Sequence, residues 1–158
     1  MKYNNPSLAP LPADTAQLAW AILPNEHRYL AIGDRLEPLL ADINLSELYT
    51  TGNDMLAPID PRLLLMIIIF QYMEGLSDSQ VADQLPVRID WKYALHLPLS
   101  DPGVGNDTLI DFRRRITSHR AGLNAFYTVL VRLVEWNMCN CWDGSLVQTN
   151  QFMEIDGL

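Results

Sequence analysis

Cysteine and histidine are scarce in this sequence, which limits the metal chemistry it can support. The chain has 158 residues but only two cysteines and three histidines. Cys139 and Cys141 form a lone C-x-C without a second cysteine pair, so one chain cannot complete a tetrahedral zinc site, and reduced thiols are expected. A G-x-S-x-G motif and a glycine-rich phosphate loop are also missing. These absences give no support to an enzyme of those common classes.

The sequence also lacks a segment that could anchor it in a membrane. Its longest apolar run, LLLMIIIF at residues 63–70, is too short to cross a bilayer. The N-terminus has no cationic region followed by an apolar one, the pattern of a signal peptide. We therefore expect a cytoplasmic protein.

Positive charge is scarce as well, yet it is concentrated in one place. The net charge is −8, which by itself argues against a nucleic-acid binder, because attraction to phosphate needs a cationic surface. Residues 108–132, however, carry five arginines and a single acid, Asp111. The distribution of charge is therefore more informative than its sum.

What the sequence has is a strong pattern for a central helix. Asp60 can accept hydrogen bonds from the free amides of a first helical turn, and Pro61 suits the position after it, where an N–H is not needed. The segment that follows, as far as Glu74, is apolar on nearly every side, which predicts the buried helix of a small bundle. Gly75 can end this helix, and Ser77 begins a capping box for the next one.

A second informative helix carries the arginines. Asn106 and the two residues after it offer a cap for a helix from Leu109 onward. Helical spacing places one set of side chains in a single apolar sector: Leu109, Phe112, Ile116 and Leu123. Arg114 points almost directly away from that sector, and Arg113 and Arg115 flank it. One side is therefore expected to pack and the other to present arginines.

The whole pattern predicts an all-α protein, a small helical bundle with helix-turn-helix-like elements. Residues 1–15, rich in proline, are expected to form a flexible arm, and the helical domain is expected over residues 16–138. Within it, one helix should run from Asn25 to about Ile43. The segment YTVLVRLVEW, residues 127–136, fits a helix by its spacing and a strand by its β-branched residues.

Several ordered blocks resemble one known family. They are Tyr49, Gly52, IDPRLLL at 59–65, Gln71-Tyr72, GLSD at 75–78, RIDWKYAL at 88–95, DPG at 101–103 and TLIDFRRRI at 108–116. Together they resemble the InsH-like N-terminal domain of bacterial insertion-sequence transposases of the DDE class. The departures are His96, where the family usually has glycine, and Val104-Gly105, where it has an aromatic pair.

The resemblance implies binding to double-stranded DNA at the terminal inverted repeats of a transposon. Three adjacent arginines cannot all face a protein core, and residues near the helix start lie near base edges in DNA-binding helices. The expected DNA-binding residues are Asn106, Thr108, Arg113, Arg114, Arg115 and Arg120. The alternative is a protein-interaction module that forms a homodimer, or pairs with full-length transposase and inhibits transposition.

The resemblance also bears on catalysis. Transposases of this class use two aspartates and a glutamate on an RNase-H-like fold to hold two divalent ions such as Mg²⁺. Residues 139–158 are expected to be the start of such a domain, without the second aspartate and the glutamate. Asp156, in the segment EIDG, resembles the first catalytic aspartate, and Asn150 is the other candidate for that position. No cofactor is expected for this chain alone.

We therefore hypothesise that the chain is catalytically inactive by itself, because one carboxylate cannot hold two ions. The purified chain should leave supercoiled plasmid intact in the presence of Mg²⁺, as judged by gel electrophoresis. Metal-dependent nicking that disappears in the Asp156→Ala variant would refute the hypothesis.

Overall fold

A computed structural model describes residues 7–49 and 59–139 of the chain. These residues contain α-helices and short 3₁₀ helices and no strand, which confirms the expected all-α class for the described part. The α-helices are α1 (Ala13–Ile22), α2 (Arg28–Asp34), α3 (Leu36–Leu40), α4 (Pro61–Glu74), α5 (Asp78–Gln84), α6 (Ile89–Ala94), α7 (Asn106–Ser118) and α8 (Arg120–Glu135). The 3₁₀ helices span Ser46–Tyr49 and Leu85–Val87.

Helix α4 is the buried centre of the fold, as the sequence predicted. The Asp60 carboxylate accepts a hydrogen bond from the backbone N–H of Arg62 at 2.8 Å, and Pro61 is the first helical residue. Residues 64–71 are all buried, so the helix has no face left for water. Gly75 ends the helix with φ of 65°, in the left-handed region that glycine adopts without steric cost.

The turn after α4 also follows the sequence prediction. The Ser77 hydroxyl accepts a hydrogen bond from the N–H of Gln80 at 3.2 Å, and the Gln80 side chain accepts one from the N–H of Ser77 at 2.8 Å. This reciprocal pair is a complete capping box at the start of α5. The two helices therefore join through a short, well-defined turn.

The helix predicted between Asn25 and Ile43 is divided into α2 and α3. Arg35 lies between them with φ of −120° and ψ of 19°, outside helical geometry. Pro38 accounts for the break, because its ring would meet the carbonyl of Asp34 in a continuous helix and it has no N–H to donate there. In addition α1 begins at Ala13, before the expected boundary at residue 16.

Helix α6 brings the large aromatic side chains into the core. Trp91 and Tyr93 are buried, and Trp91 lies beside Phe70 of α4 and Tyr29 of α2, with ring centroids 5.6 and 6.3 Å away. Tyr93 packs so closely on α2 that a Cβ at Gly33 would lie 2.6 Å from its ring. A small residue at position 33 is therefore what lets α2 and α6 meet.

Helices α7 and α8 pack against each other and against α4. Residues 127–135, for which a strand was the alternative, are helical. Leu109, Phe112 and Ile116 of α7 are buried, as their spacing predicted. Gly122 of α8 lies close to the α7 backbone, and a Cβ there would lie 2.7 Å from both the Cα and the carbonyl oxygen of Ile116.

Some expectations concern the ends of the chain. Asn150, Asp156 and the start of a catalytic domain lie outside the described residues, as does most of the N-terminal arm. Cys139 is disulfide-bonded, so the expectation of reduced thiols is wrong for this residue. Among the described helices, none is both long enough and apolar enough to span a bilayer.

The close approach at Gly122 leads to a test of the α7–α8 packing. Alanine at this position gains about 1 kcal/mol of helix propensity. Its methyl group, however, meets the α7 backbone rather than a flexible side chain, and overpacking of this kind costs about 1–3 kcal/mol. We expect Gly122→Ala to lower the free energy of unfolding, measured by urea denaturation.

Gly105→Ala is the matched control, since a Cβ there meets no atom within 4 Å. Gly105 is the N-cap of α7, where alanine is less favourable than glycine, so this variant should lower the free energy of unfolding by about 1 kcal/mol or less. Equal stability of the two variants would show that the close contact at Gly122 does not limit the packing.

Candidate nucleic-acid interface

The three consecutive arginines of α7 have three different environments. Arg113 is 5% exposed, Arg115 is half-buried and Arg114 is exposed. A helix turns by about 100° per residue, so neighbours in sequence face different sides. The arginines that the sequence grouped as one DNA-binding set therefore have to be considered separately.

Arg113 lies inside the protein and joins three helices. Its guanidinium donates to the Asp78 carboxylate at 2.7 and 3.1 Å, and to the Gln71 side-chain oxygen at 2.8 Å. The Gln71 amide in turn donates to Asp78 at 2.8 Å. These bonds close a triangle between α4, α5 and α7. The guanidinium of Arg113 is thus hydrogen-bonded inside the fold and is not placed to contact phosphate.

The carboxylate of this triangle is held in its charged form. Burial raises the pKa of Asp78, but the hydrogen bonds from Arg113 and Gln71 outweigh it and bring the net pKa below its usual value. Arg113 therefore faces an ionised partner, and a buried pair of this kind is costly to break from one side.

Arg115 also forms hydrogen bonds within the domain. It donates to Asp111 at 2.8 Å, four residues earlier on α7, and to the backbone oxygen of Leu48 at 2.8 Å. Its guanidinium also lies over the ring of Tyr49, 4.6 Å from the centroid. Arg115 thus connects α7 to the 3₁₀ helix Ser46–Tyr49, and Asp111 balances its charge.

Arg114 and Arg120 remain as accessible cations of the expected set. Both are exposed, and neither forms an ion pair with another residue in the described part of the chain. His119 lies between the two helices, with its ring Nδ1 2.9 Å from the backbone oxygen of Arg115. We refer to Arg114, His119 and Arg120, which lie close together in sequence at the junction of α7 and α8, as the basic corner.

The two polar residues expected near base edges lie at the other end of α7. Asn106 is the first residue of the helix and is exposed, and Thr108 is half-buried. The exposed acids Asp107 and Asp111 also belong to this helix. The structure therefore does not gather all six expected residues at one place, and within the expected set the exposed arginines are those of the basic corner.

A second polar network, which the sequence reasoning did not identify, surrounds the end of α4. Glu74 accepts hydrogen bonds from Arg88 at 2.9 and 3.0 Å, from the Trp91 indole at 2.9 Å and from the Tyr29 hydroxyl at 2.5 Å. Arg88 also holds Asp90 at 2.7 and 2.8 Å. The signal in the sequence was the set of charged residues placed among aromatics in RIDWKY.

The Glu74 carboxylate of this second network is also held in its charged form. Burial raises the pKa of Glu74, yet the hydrogen bonds from Arg88 and Tyr29 bring the net pKa below its usual value. For Tyr29, burial and then the hydrogen bond to Glu74 raise the pKa. The network joins α2, α4 and α6.

Other residues of the same sequence block also hold parts of the fold together. Tyr93 donates to Asp34 at 2.5 Å and accepts from the Trp20 indole at 3.2 Å, which ties α1 and α2 to α6. Lys92 is buried and donates to the backbone oxygen of Leu99. No group of three or more potential metal-binding side chains occurs within residues 7–49 and 59–139.

Fold and side-chain arrangement together define an all-α domain in which Arg88 and Arg113 form hydrogen bonds within the fold. A family model described as a transposase domain (DUF772) matches residues 20–115, and the chain belongs to this family. It thus carries a transposase-family N-terminal region and has a transposase-related role, which implies interaction with DNA in general. No curated protein and no solved structure shows a significant match to the chain.

The different environments of Arg113 and Arg114 predict effects of very different size on the free energy of unfolding. Arg113→Ala leaves the Asp78 carboxylate without its charged partner and should lower the free energy of unfolding by about 3 kcal/mol. Arg114→Ala removes an exposed side chain and should change it by no more than about 0.5 kcal/mol. Urea denaturation followed by far-UV circular dichroism measures both.

The two variants carry the same substitution on adjacent residues, so each controls for the loss of one charge. Similar stability of Arg113→Ala and Arg114→Ala would contradict the internal role of Arg113.

Proposed function

We propose that this chain is the DNA-binding N-terminal domain of a DDE-class transposase, and that it recognises the terminal inverted repeats of a transposon during transposition. The observation that carries the proposal is the basic corner. It consists of two exposed arginines, of which Arg114 lies within the matched transposase-domain region and Arg120 lies just beyond it, while the other α7 arginines are paired internally. A cytoplasmic location goes with this function.

The chemistry of the basic corner suits the DNA backbone. A guanidinium is always charged and can donate two parallel hydrogen bonds to one phosphate. No side chain caps the N-terminus of α8, where Arg120 is the first residue, so its amide groups add a favourable field for an anion. Phosphate contacts of this kind position a protein on the duplex without reading its sequence.

Sequence reading is assigned to the opposite end of α7. Asn106 is exposed at the first turn, where the residues of a recognition helix contact base edges, and Thr108 follows it. An asparagine side chain can form two hydrogen bonds with an adenine edge in the major groove. In this arrangement α7 contacts bases through its N-terminal end and backbone through its C-terminal end.

Catalysis is proposed to need more than the described domain. In the complete family enzyme, Mg²⁺ ions would be held by three carboxylates. Asp156 is our candidate for the first of them, and Asn150 is the alternative for that position. The helical domain would then supply DNA recognition and leave strand transfer to the catalytic residues.

The salt dependence of DNA binding tests the proposal. Each phosphate contact contributes about −0.9 to the slope of log affinity against log salt concentration. Replacing both Arg114 and Arg120 by alanine should weaken binding to a terminal-repeat duplex and to a scrambled duplex alike, and should make the slope less negative by about 2. Fluorescence anisotropy at several salt concentrations measures both quantities.

Arg132→Ala is the matched control, because Arg132 is bound to Asp42 at 2.7 Å and to the backbone oxygen of Leu39 at 2.9 Å. It removes a positive charge from α8 but should leave the salt slope nearly unchanged. Asn106→Ala should instead reduce the preference for the repeat over the scrambled duplex. Unchanged affinity and salt slope in the Arg114 and Arg120 double variant would contradict the assignment of these arginines to the DNA backbone.

A further inference from the structure

His96, just after α6, has a backbone conformation that usually belongs to glycine. Its φ is 55°, in the left-handed region. The N–H of Leu97 bonds to the Lys92 oxygen at 2.8 Å, and the N–H of His96 bonds to the Tyr93 oxygen at 3.2 Å, which together form a Schellman motif. Glycine is favoured at this position, so a side chain here has a conformational cost. The contacts of the imidazole ring offset that cost.

The imidazole ring of His96 joins two separate parts of the chain. Its Nε2 lies 2.7 Å from the backbone oxygen of Gly33, in the last turn of α2. Its Nδ1 lies 3.0 Å from the backbone oxygen of Ala9. Ala9 belongs to residues 7–12, which precede α1 and which we call the N-terminal strap. One side chain therefore bridges the strap and α2.

Both ring contacts of His96 have a carbonyl oxygen as the partner, and this decides which protonation state fits them. A carbonyl oxygen only accepts hydrogen bonds. A neutral imidazole has one N–H and one lone pair, whereas the imidazolium has two N–H groups. The neutral ring would therefore direct a lone pair at one of the two oxygens, and the imidazolium donates to both.

The two ring contacts differ in their exposure to water. The contact with Gly33 is the shorter one and is partly buried, while the contact with Ala9 is exposed. A buried carbonyl without a donor is costlier than an exposed one that water can reach. When the ring holds a single proton, that proton is therefore best placed on Nε2. Loss of the other proton breaks the bond to the strap and keeps the bond to α2.

The elements around His96 carry few other groups that could govern its charge. The strap has no titratable side chain. Asp34 of α2 accepts from the Tyr93 hydroxyl, and Lys92 donates to a backbone oxygen. None of the charged or titratable side chains of these elements forms an ion pair with His96 in the described part of the chain. Besides those already named, the nearest in the sequence are Asp14, His27, Arg28, Arg35, Asp90 and Asp101.

We propose that His96 is a proton-dependent clasp for the N-terminal strap. The imidazolium holds the strap on α2, and deprotonation between about pH 5 and 8, where histidine changes its charge, releases it. The hold on the strap is therefore present at low pH and lost as the pH rises. Helix α1 stays in place, because the Thr15 hydroxyl donates to the Leu97 oxygen at 2.9 Å through a buried bond that does not titrate in this range.

Release of the strap uncovers a defined part of the domain. Leu8 packs against the main core. Together with Ser7 it lines a depression of about 430 Å³ whose other walls come from α3, Ala41 and Arg62 of α4. The clasp therefore controls access to this side of α3 and to the start of α4. It does not depend on DNA binding.

Limited proteolysis of the full chain by thermolysin tests the clasp, because this protease cuts before leucine and the strap contains Leu8 and Leu11. The rate is divided by that of a free peptide of residues 7–16 at the same pH, which removes the pH dependence of the protease. Mass spectrometry separates cuts in the strap from cuts in the helices, which report global unfolding. Between about pH 6 and about pH 8, protection of the strap should fall about tenfold, the loss expected for one hydrogen bond from a charged donor.

His96→Gly removes the ring and suits the left-handed backbone, so the variant should fold. Its strap should be cut at the high-pH rate at both pH values. Asn137→Gly is the matched control, because Asn137 has φ of 58° in the same motif at the end of α8, and it should keep the full pH dependence.

Three results would overturn the clasp. They are equal strap protection of the wild-type chain at both pH values, a pH dependence that persists in His96→Gly, and a pH dependence that is lost in Asn137→Gly. DNA is absent from these experiments, so a failure of the DNA-binding function leaves them unaffected.

Discussion

The need to cover helix α4 on every side organises this domain. Its residues 64–71 are all buried, and an apolar helix exposed on any face would lose the hydrophobic free energy that stabilises it. Helices α2, α6, α7 and α8 contribute side chains to the same continuous core. The last turn of α4 then supplies the two polar residues, Gln71 and Glu74, from which both buried networks extend.

The two networks change how the sequence blocks of this family should be understood. Arg88, Asp90 and Arg113 belong to blocks that resemble a transposase domain. Arg88 and Arg113 form hydrogen bonds with other helices, and Asp90 holds Arg88. Buried charged groups are stable only with partners in good geometry, so these residues depend on one another. Family resemblance here reports the architecture of the domain more directly than its contact with DNA.

Much of the positive charge in this acidic chain is bonded within the fold. Arg113 and Arg115 are neutralised by Asp78 and Asp111, which leaves Arg114 as the accessible arginine of the three on α7. For a protein with a net charge of −8, a local cationic surface matters because screening limits charges to acting over about 10 Å.

The sequence by itself determined what depends on neighbouring residues. The cap at Asp60, the end at Gly75, the capping box at Ser77 and the buried character of α4 follow from local hydrogen bonds and apolar spacing, and all were predicted. Tertiary structure alone decided the roles of the α7 arginines. Periodicity shows that Arg113 flanks the apolar sector, but its partners Gln71 and Asp78 lie 42 and 35 residues away. A contact of that separation exists only once the helices are packed.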